Sequence, residues 1–214
     1  MKNLKKALVL FLCAVLLVAG SVMGTLAYLT AQDNVLNTFT VGEVAIDLWE
    51  NKVDVNNNAT TEITHTGNTY TEIQPGLSYV KNPTVTVKKD SENCYVRMMV
   101  KVTYKAEADA VLAKYNYQTW FDFNGAWTVV GAPTTEDDGA NITRTYEFRY
   151  NYMVLEDTGA DQDLPALFTR IEIPGGMTNA ELLTLEGLQI AIDAHAIQAD
   201  GFVDANEAWG EFTP

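Results

Sequence analysis

The sequence predicts a mainly β fold: a single jelly-roll or β-sandwich domain with short helices in its loops, following a cleaved signal peptide. Three observations carry this reading. Several segments alternate apolar and polar residues at period two, above all residues 94–104, the spacing that lines one face of a strand. Polar turn clusters such as Gln74-Pro75-Gly76 and Pro174-Gly175-Gly176 separate these segments. Helical patterns are few and short, nothing repeats at a fixed period, and no Pro/Ser-rich linker divides the chain, which favours one layered β domain over a solenoid or two domains.

The elements follow in order. Lys2, Lys5 and Lys6 form a positive start, residues 7–24 carry no charge, and Thr25-Leu26-Ala27 supplies small side chains for a peptidase. This is the layout of a signal peptide, cut between Ala27 and Tyr28. The 18 uncharged residues also sit at the lower edge of a spanning helix. The expected division is residues 1–27 as signal peptide and residues 28–214 as the secreted domain.

Residues 37–50 alternate as a strand, with Gly42 marking a bulge or bend. Residues 51–72, rich in Asn, Thr and Gly, read as a long exposed excursion or a hairpin. Residues 83–88 form a strand with Val85 and Val87 on one face. In the next strand Cys94, Val96, Met98, Val100, Val102 and Tyr104 should face the core. Residues 106–114 are a helix candidate, and 120–123 with 126–130 read as a hairpin turning at Asn124-Gly125. In residues 142–155, Tyr146, Phe148, Tyr150 and Tyr152 share one face, a pattern of cross-strand packing or of a ligand platform. Residues 167–173 form a strand. Thr178 and Glu181 are spaced as a capping box for a helix to Leu185, residues 188–198 form a strand, and residues 205–212 a terminal turn or helix.

Charge and motifs narrow the function. The chain has 14 basic and 28 acidic residues. Three lysines leave with the signal, so the mature net charge is −17, which repels nucleic acid and anionic lipid. Cys13 leaves too, and Cys94 then has no intramolecular partner and reads as a buried small hydrophobe. His65 and His195 sit in no H-E-x-x-H, and G-x-S-x-G, P-loop and dinucleotide motifs are absent. Acid clusters at Glu136-Asp137-Asp138, at Glu156, Asp157, Asp161 and Asp163, and at Asp200, Asp204 and Glu207 offer oxygens to calcium, but none has EF-hand spacing. No catalytic residue, metal site or cofactor is expected.

The segment beyond the cut carries a more specific signal. Gly24-Thr25-Leu26-Ala27-Tyr28-Leu29-Thr30, then Asn37-Thr38-Phe39-Thr40-Val41-Gly42, resembles the secreted TasA/camelysin family of Gram-positive bacteria, as do Gln74-Pro75-Gly76, Lys81-Asn82-Pro83 and Tyr95-Val96-Arg97. The likeness spans roughly residues 20–104 and is loose beyond. It implies processing by a dedicated signal peptidase, a jelly-roll domain, and fibres in which the freed N-terminal segment of one subunit completes the sheet of the next. Tyr28, Leu29, Val35, Leu36, Phe39 and Val41 would supply that strand-exchange segment; an edge strand of the same domain is the alternative.

The expected function is a secreted or cell-surface, non-enzymatic structural protein of a bacterial surface or biofilm matrix. Its partners would be further copies of itself and, during export, the signal peptidase, with neither nucleic acid nor stable membrane insertion after cleavage. A camelysin-like metallo-endopeptidase and an adhesive binding module are the alternatives. The endopeptidase would need a site built from His65, His195 and carboxylates, and the module would use the Tyr146 to Tyr152 face or residues 51–72.

Overall fold

The computed structural model describes residues 43–157 and 159–213. Ala27, Tyr28, Leu29, Val35, Leu36, Phe39 and Val41 lie outside the described residues, as does the expected strand over positions 37–42. What is described is mainly β, with antiparallel sheets consistent with a sandwich.

One four-stranded sheet has the order β2-β1-β4-β8, from β1 (Ile46–Val53), β2 (Ala59–Thr64), β4 (Thr84–Val87) and β8 (Gln162–Asp163). The second has the order β10-β5-β7-β6, from β5 (Cys94–Lys105), β6 (Trp127–Asp137), β7 (Asn141–Tyr150) and β10 (Gln189–Gln198). A small ribbon pairs β3 (Ser78–Val80) with β9 (Arg170–Glu172). Among the described residues there are also three short α-helices: α1 (Asp109–Lys114), α2 (Asn179–Thr184) and α3 (Ala205–Glu211).

β5 follows its sequence pattern. Cys94, Val96, Met98, Val100, Val102 and Tyr104 are all buried, while the intervening residues are half-buried or exposed. Strand pleat puts alternate side chains on opposite faces, and this inner face joins Val85, Val87, Tyr146, Phe148, Leu167 and Phe168 in one core. Burial without any compensating charge pushes the Cys94 thiol up to about 11. β4 departs from the expected one-sided pattern, since Thr84 and Thr86 are as buried as the valines. The hydroxyl of Thr86 makes this possible: it accepts from Trp49 Nε1 at 2.8 Å and donates to Asp163 Oδ1 at 2.5 Å, so burial leaves it satisfied.

Two further sequence expectations change, and one open alternative is decided. The expected hairpin at 120–130 does not form. Its Asn124-Gly125 turn is present, with Asn124 O accepting from Trp127 N at 3.0 Å. Tyr117–Trp120, however, is a 3-10 turn, Phe121 bridges Ile171, and the partner of β6 is β7. β6 also continues beyond Val130 to Asp137, passing Gly131 and Pro133 where its register shifts; a bulge accommodates both residue types. Of the two readings of residues 51–72, the hairpin holds as far as Thr64, and residues 65–72 carry no strand. Asp54 Oδ1 accepts from the backbone N–H of Asn56 and Asn58 at 2.8 and 2.9 Å and closes the turn between β1 and β2.

Met98→Ala, at the centre of the buried face, should cost about 2–5 kcal/mol through lost contacts and a residual cavity. Denaturant unfolding would measure it.

Candidate functional site

A groove of about 1220 Å³ opens among the described residues. Leu48, Trp49 and Glu50 of β1 line it, as do Leu188, Ile190 and Ile192 on and beside β10. Tyr79, Pro83, Ile171 and Ile173 lie along it, with Leu182, Leu183 and Leu185 of the α2 region and the residue 64–73 segment also lining it. Most of this lining is apolar.

Its most buried polar groups are paired within the protein. Lys81 Nζ donates to both carboxylate oxygens of Glu50, at 3.0 and 3.2 Å, and both side chains are more than nine-tenths buried. Tyr70 donates to Val80 O at 2.5 Å, and its hydroxyl pKa is raised by burial and by the nearby Glu50 charge. The Tyr79 hydroxyl accepts from Gln74 N at 2.7 Å, with the two tyrosine rings edge to face. Side-chain amides tie the segments around β1 together: Asn82 and Asn68 each accept from a β1 backbone N–H at 3.0 Å, from Asn51 and Val53 respectively.

α2 is moored beside the groove by its first turn. Thr178 and Glu181 form the expected capping box, and Glu181 also takes Lys114 Nζ at 2.5 Å and the Tyr115 hydroxyl at 3.0 Å. Lys114, followed by the Thr178 backbone N–H, holds the Glu181 carboxyl at about 2. The box was visible in sequence because its spacing is local; the Lys114 tether was not, because its partners are 67 residues apart.

The two outer strands of the β10-β5-β7-β6 sheet differ in what they offer. β6 has a register shift, Gly131, Pro133 and two terminal acids, Glu136 and Asp137, features that discourage further pairing. β10 has none of these before Gln198 except Asp193. It runs in unbroken register against β5 for ten residues and, among the described residues, pairs with no strand on its other side. The groove is lined by residues 188–192 at the start of β10.

The other sequence candidates resolve into structural roles. His65 is exposed, with Nδ1 3.1 Å from Leu48 O and 3.2 Å from Asp47 Oδ1. His195 is half-buried on β10 and stacks on Phe212. Asp138 accepts from the Ala140 and Asn141 N–H groups at the β6–β7 turn, which lowers its pKa. Asp161 accepts from Lys89 N and pairs with Lys88, and Asp204 caps α3. Among the described residues no three His, Cys, Asp or Glu side chains are grouped to hold a metal. The aromatic face is not a platform: Tyr146 and Phe148 are buried, the Tyr117 and Tyr146 hydroxyls hydrogen-bond each other, and of the four only Tyr152 is largely exposed. Searches against protein-family models, curated proteins and solved structures find no match for the chain.

Lys81→Met would strand the Glu50 carboxylate and should destabilise by about 3–5 kcal/mol, whereas Glu50→Gln combined with Lys81→Met should recover most of that loss. Chemical denaturation of the two variants tests it. Cys94 should react with a thiol reagent at neutral pH only as fast as the domain opens, because its thiol is both buried and protonated.

Proposed function

We propose that this protein is a secreted, non-enzymatic structural subunit of a bacterial surface or biofilm matrix, similar to the TasA/camelysin family and of jelly-roll type. Copies join when the N-terminal segment freed by cleavage after Ala27 adds as a strand to the next subunit.

The observation that carries this reading is the edge of β10 beside the apolar groove. An unblunted edge offers a row of backbone donors and acceptors, and an apolar wall offers pockets for alternate side chains; together they suit an extended peptide better than a compact polar ligand. Size agrees as well. Ten residues of β10 extend about 33 Å at strand rise, and the segment from Tyr28 to Thr38 has eleven residues to lay along it. That segment has one charged residue, Asp33, and offers Tyr28, Leu29, Val35 and Leu36 to an apolar wall, with Phe39 and Val41 just beyond. Export suits the acidic composition, since a strongly negative surface keeps subunits soluble until a directional contact joins them.

Mature protein starting at Tyr28 should form filaments by electron microscopy and grow in light scattering, while protein lacking Tyr28 to Thr38 should remain monomeric. A synthetic peptide of residues 28–38 should bind the shortened protein and stop growth of the longer one. Equal assembly by the two forms would sink the proposal.

A further inference from the structure

The outer face of the β10-β5-β7-β6 sheet carries a row of basic groups. Register sets His195 of β10 opposite Arg97 of β5, and Arg97 opposite Arg149 of β7. Cations placed directly across a sheet repel, and this row is balanced from two sides. Glu147 of β7 lies 3.6 Å from Arg97 and accepts from Arg149 Nε at 2.6 Å. The remainder comes from α3 and the residue after it. Asn206 accepts from Arg149 at 2.8 Å, and the rings of Trp209 and Phe212 lie 4.4 and 4.6 Å from the Arg97 guanidinium carbon, a cation–π arrangement on both rings.

His195 is the member of this row whose ordinary pKa lies close to neutral. Its ring stacks on Phe212 at 5.1 Å between centroids, and its Nδ1 accepts from Arg97 Nε at 3.2 Å. A guanidinium has donors and no acceptor, so this bond requires Nδ1 without a proton and the imidazole neutral. The other charges facing it are Asp193 on its own strand, Lys101 of β5 (paired with Asp193 at 2.7 Å), and Glu147 and Arg149 of β7. α3 adds Glu207, which is engaged by Val203 N, and Glu211.

We infer that α3 is an acid-released cover: protonation of His195 breaks the Arg97 bond, adds a third positive charge to the row, and frees the helix from the outer face of the sheet. The seat is already one bond short, because Trp209 Nε1 is buried and finds no acceptor among the described residues. Burial first, then the Arg97 charge, lowers the pKa of His195 from its ordinary 6.5. The unfolded or released state therefore binds the proton more readily. The contribution of this contact is full above about pH 6.5 and is lost as pH falls from there through the lowered value. The inference concerns a single molecule and does not depend on strand addition.

Hydrogen exchange on the full chain, corrected for intrinsic rates, reads it. As pH falls from about 8 to about 5, amides of α3 should lose about tenfold or more of their protection relative to amides of β5. His195→Gln keeps an acceptor for Arg97 and cannot gain the charge, and His195→Phe keeps the ring stack without titrating; in both, α3 protection should be level across the range, with β5 protection reporting that the domain is folded. Undiminished α3 protection in the unaltered chain overturns the inference. So does loss of β5 and α3 together, or the same pH dependence in either variant.

Discussion

β5 is bonded along both edges, to β10 over Cys94–Gln198 through Thr103–Gln189 and to β7 over Arg97–Arg149 through Lys105–Asn141. A strand held on both sides cannot slip by one residue without turning its whole apolar set outward. That constraint orders much of the rest of the described domain. It sends Cys94, Val96, Met98, Val100, Val102 and Tyr104 into the core. It sends Arg97 to the outer face, where α3 covers it, and it makes β10 the last strand of the described sheet, beside the groove.

The polar chemistry serves the same frame. Asp138 and Asp204, members of the acid clusters, cap a turn and a helix, because a short acidic side chain beside its own backbone finds N–H groups before it finds an ion. The buried Lys81–Glu50 pair is a different case. Its cost of desolvation is offset only by close two-point contact, and the charge that stays there is locked to a partner rather than presented to a ligand. The groove thus joins an apolar lining to a backbone edge, which is the combination on which the proposed strand addition relies.

Legibility followed the range of the interactions. The capping box at Thr178 and Glu181, the turn at Gln74-Pro75-Gly76 and the alternation of β5 rest on residues close in sequence, and all three are present. The misread hairpin at 120–130 also had its turn right. Its error lay in the partner, because β7 presents a long regular edge and outcompetes the short segment at 120–123. Pro133 and Gly131 hid the second half of β6 for the same reason: local propensity argues against a strand there, and cross-strand bonding with a bulge overrides it.

By itself the sequence determined the fold class, the inward set of β5, the local caps and turns, and the acidic character of the surface. Each of these follows from side-chain type at fixed spacing. Tertiary structure alone decided that Lys81 meets Glu50, that Lys114 holds Glu181, that His195 and Arg97 lie under α3, and that the start of β10 lines a groove. These contacts join residues 31 to 98 positions apart, and no periodicity in one segment can specify which distant segment will pack beside it.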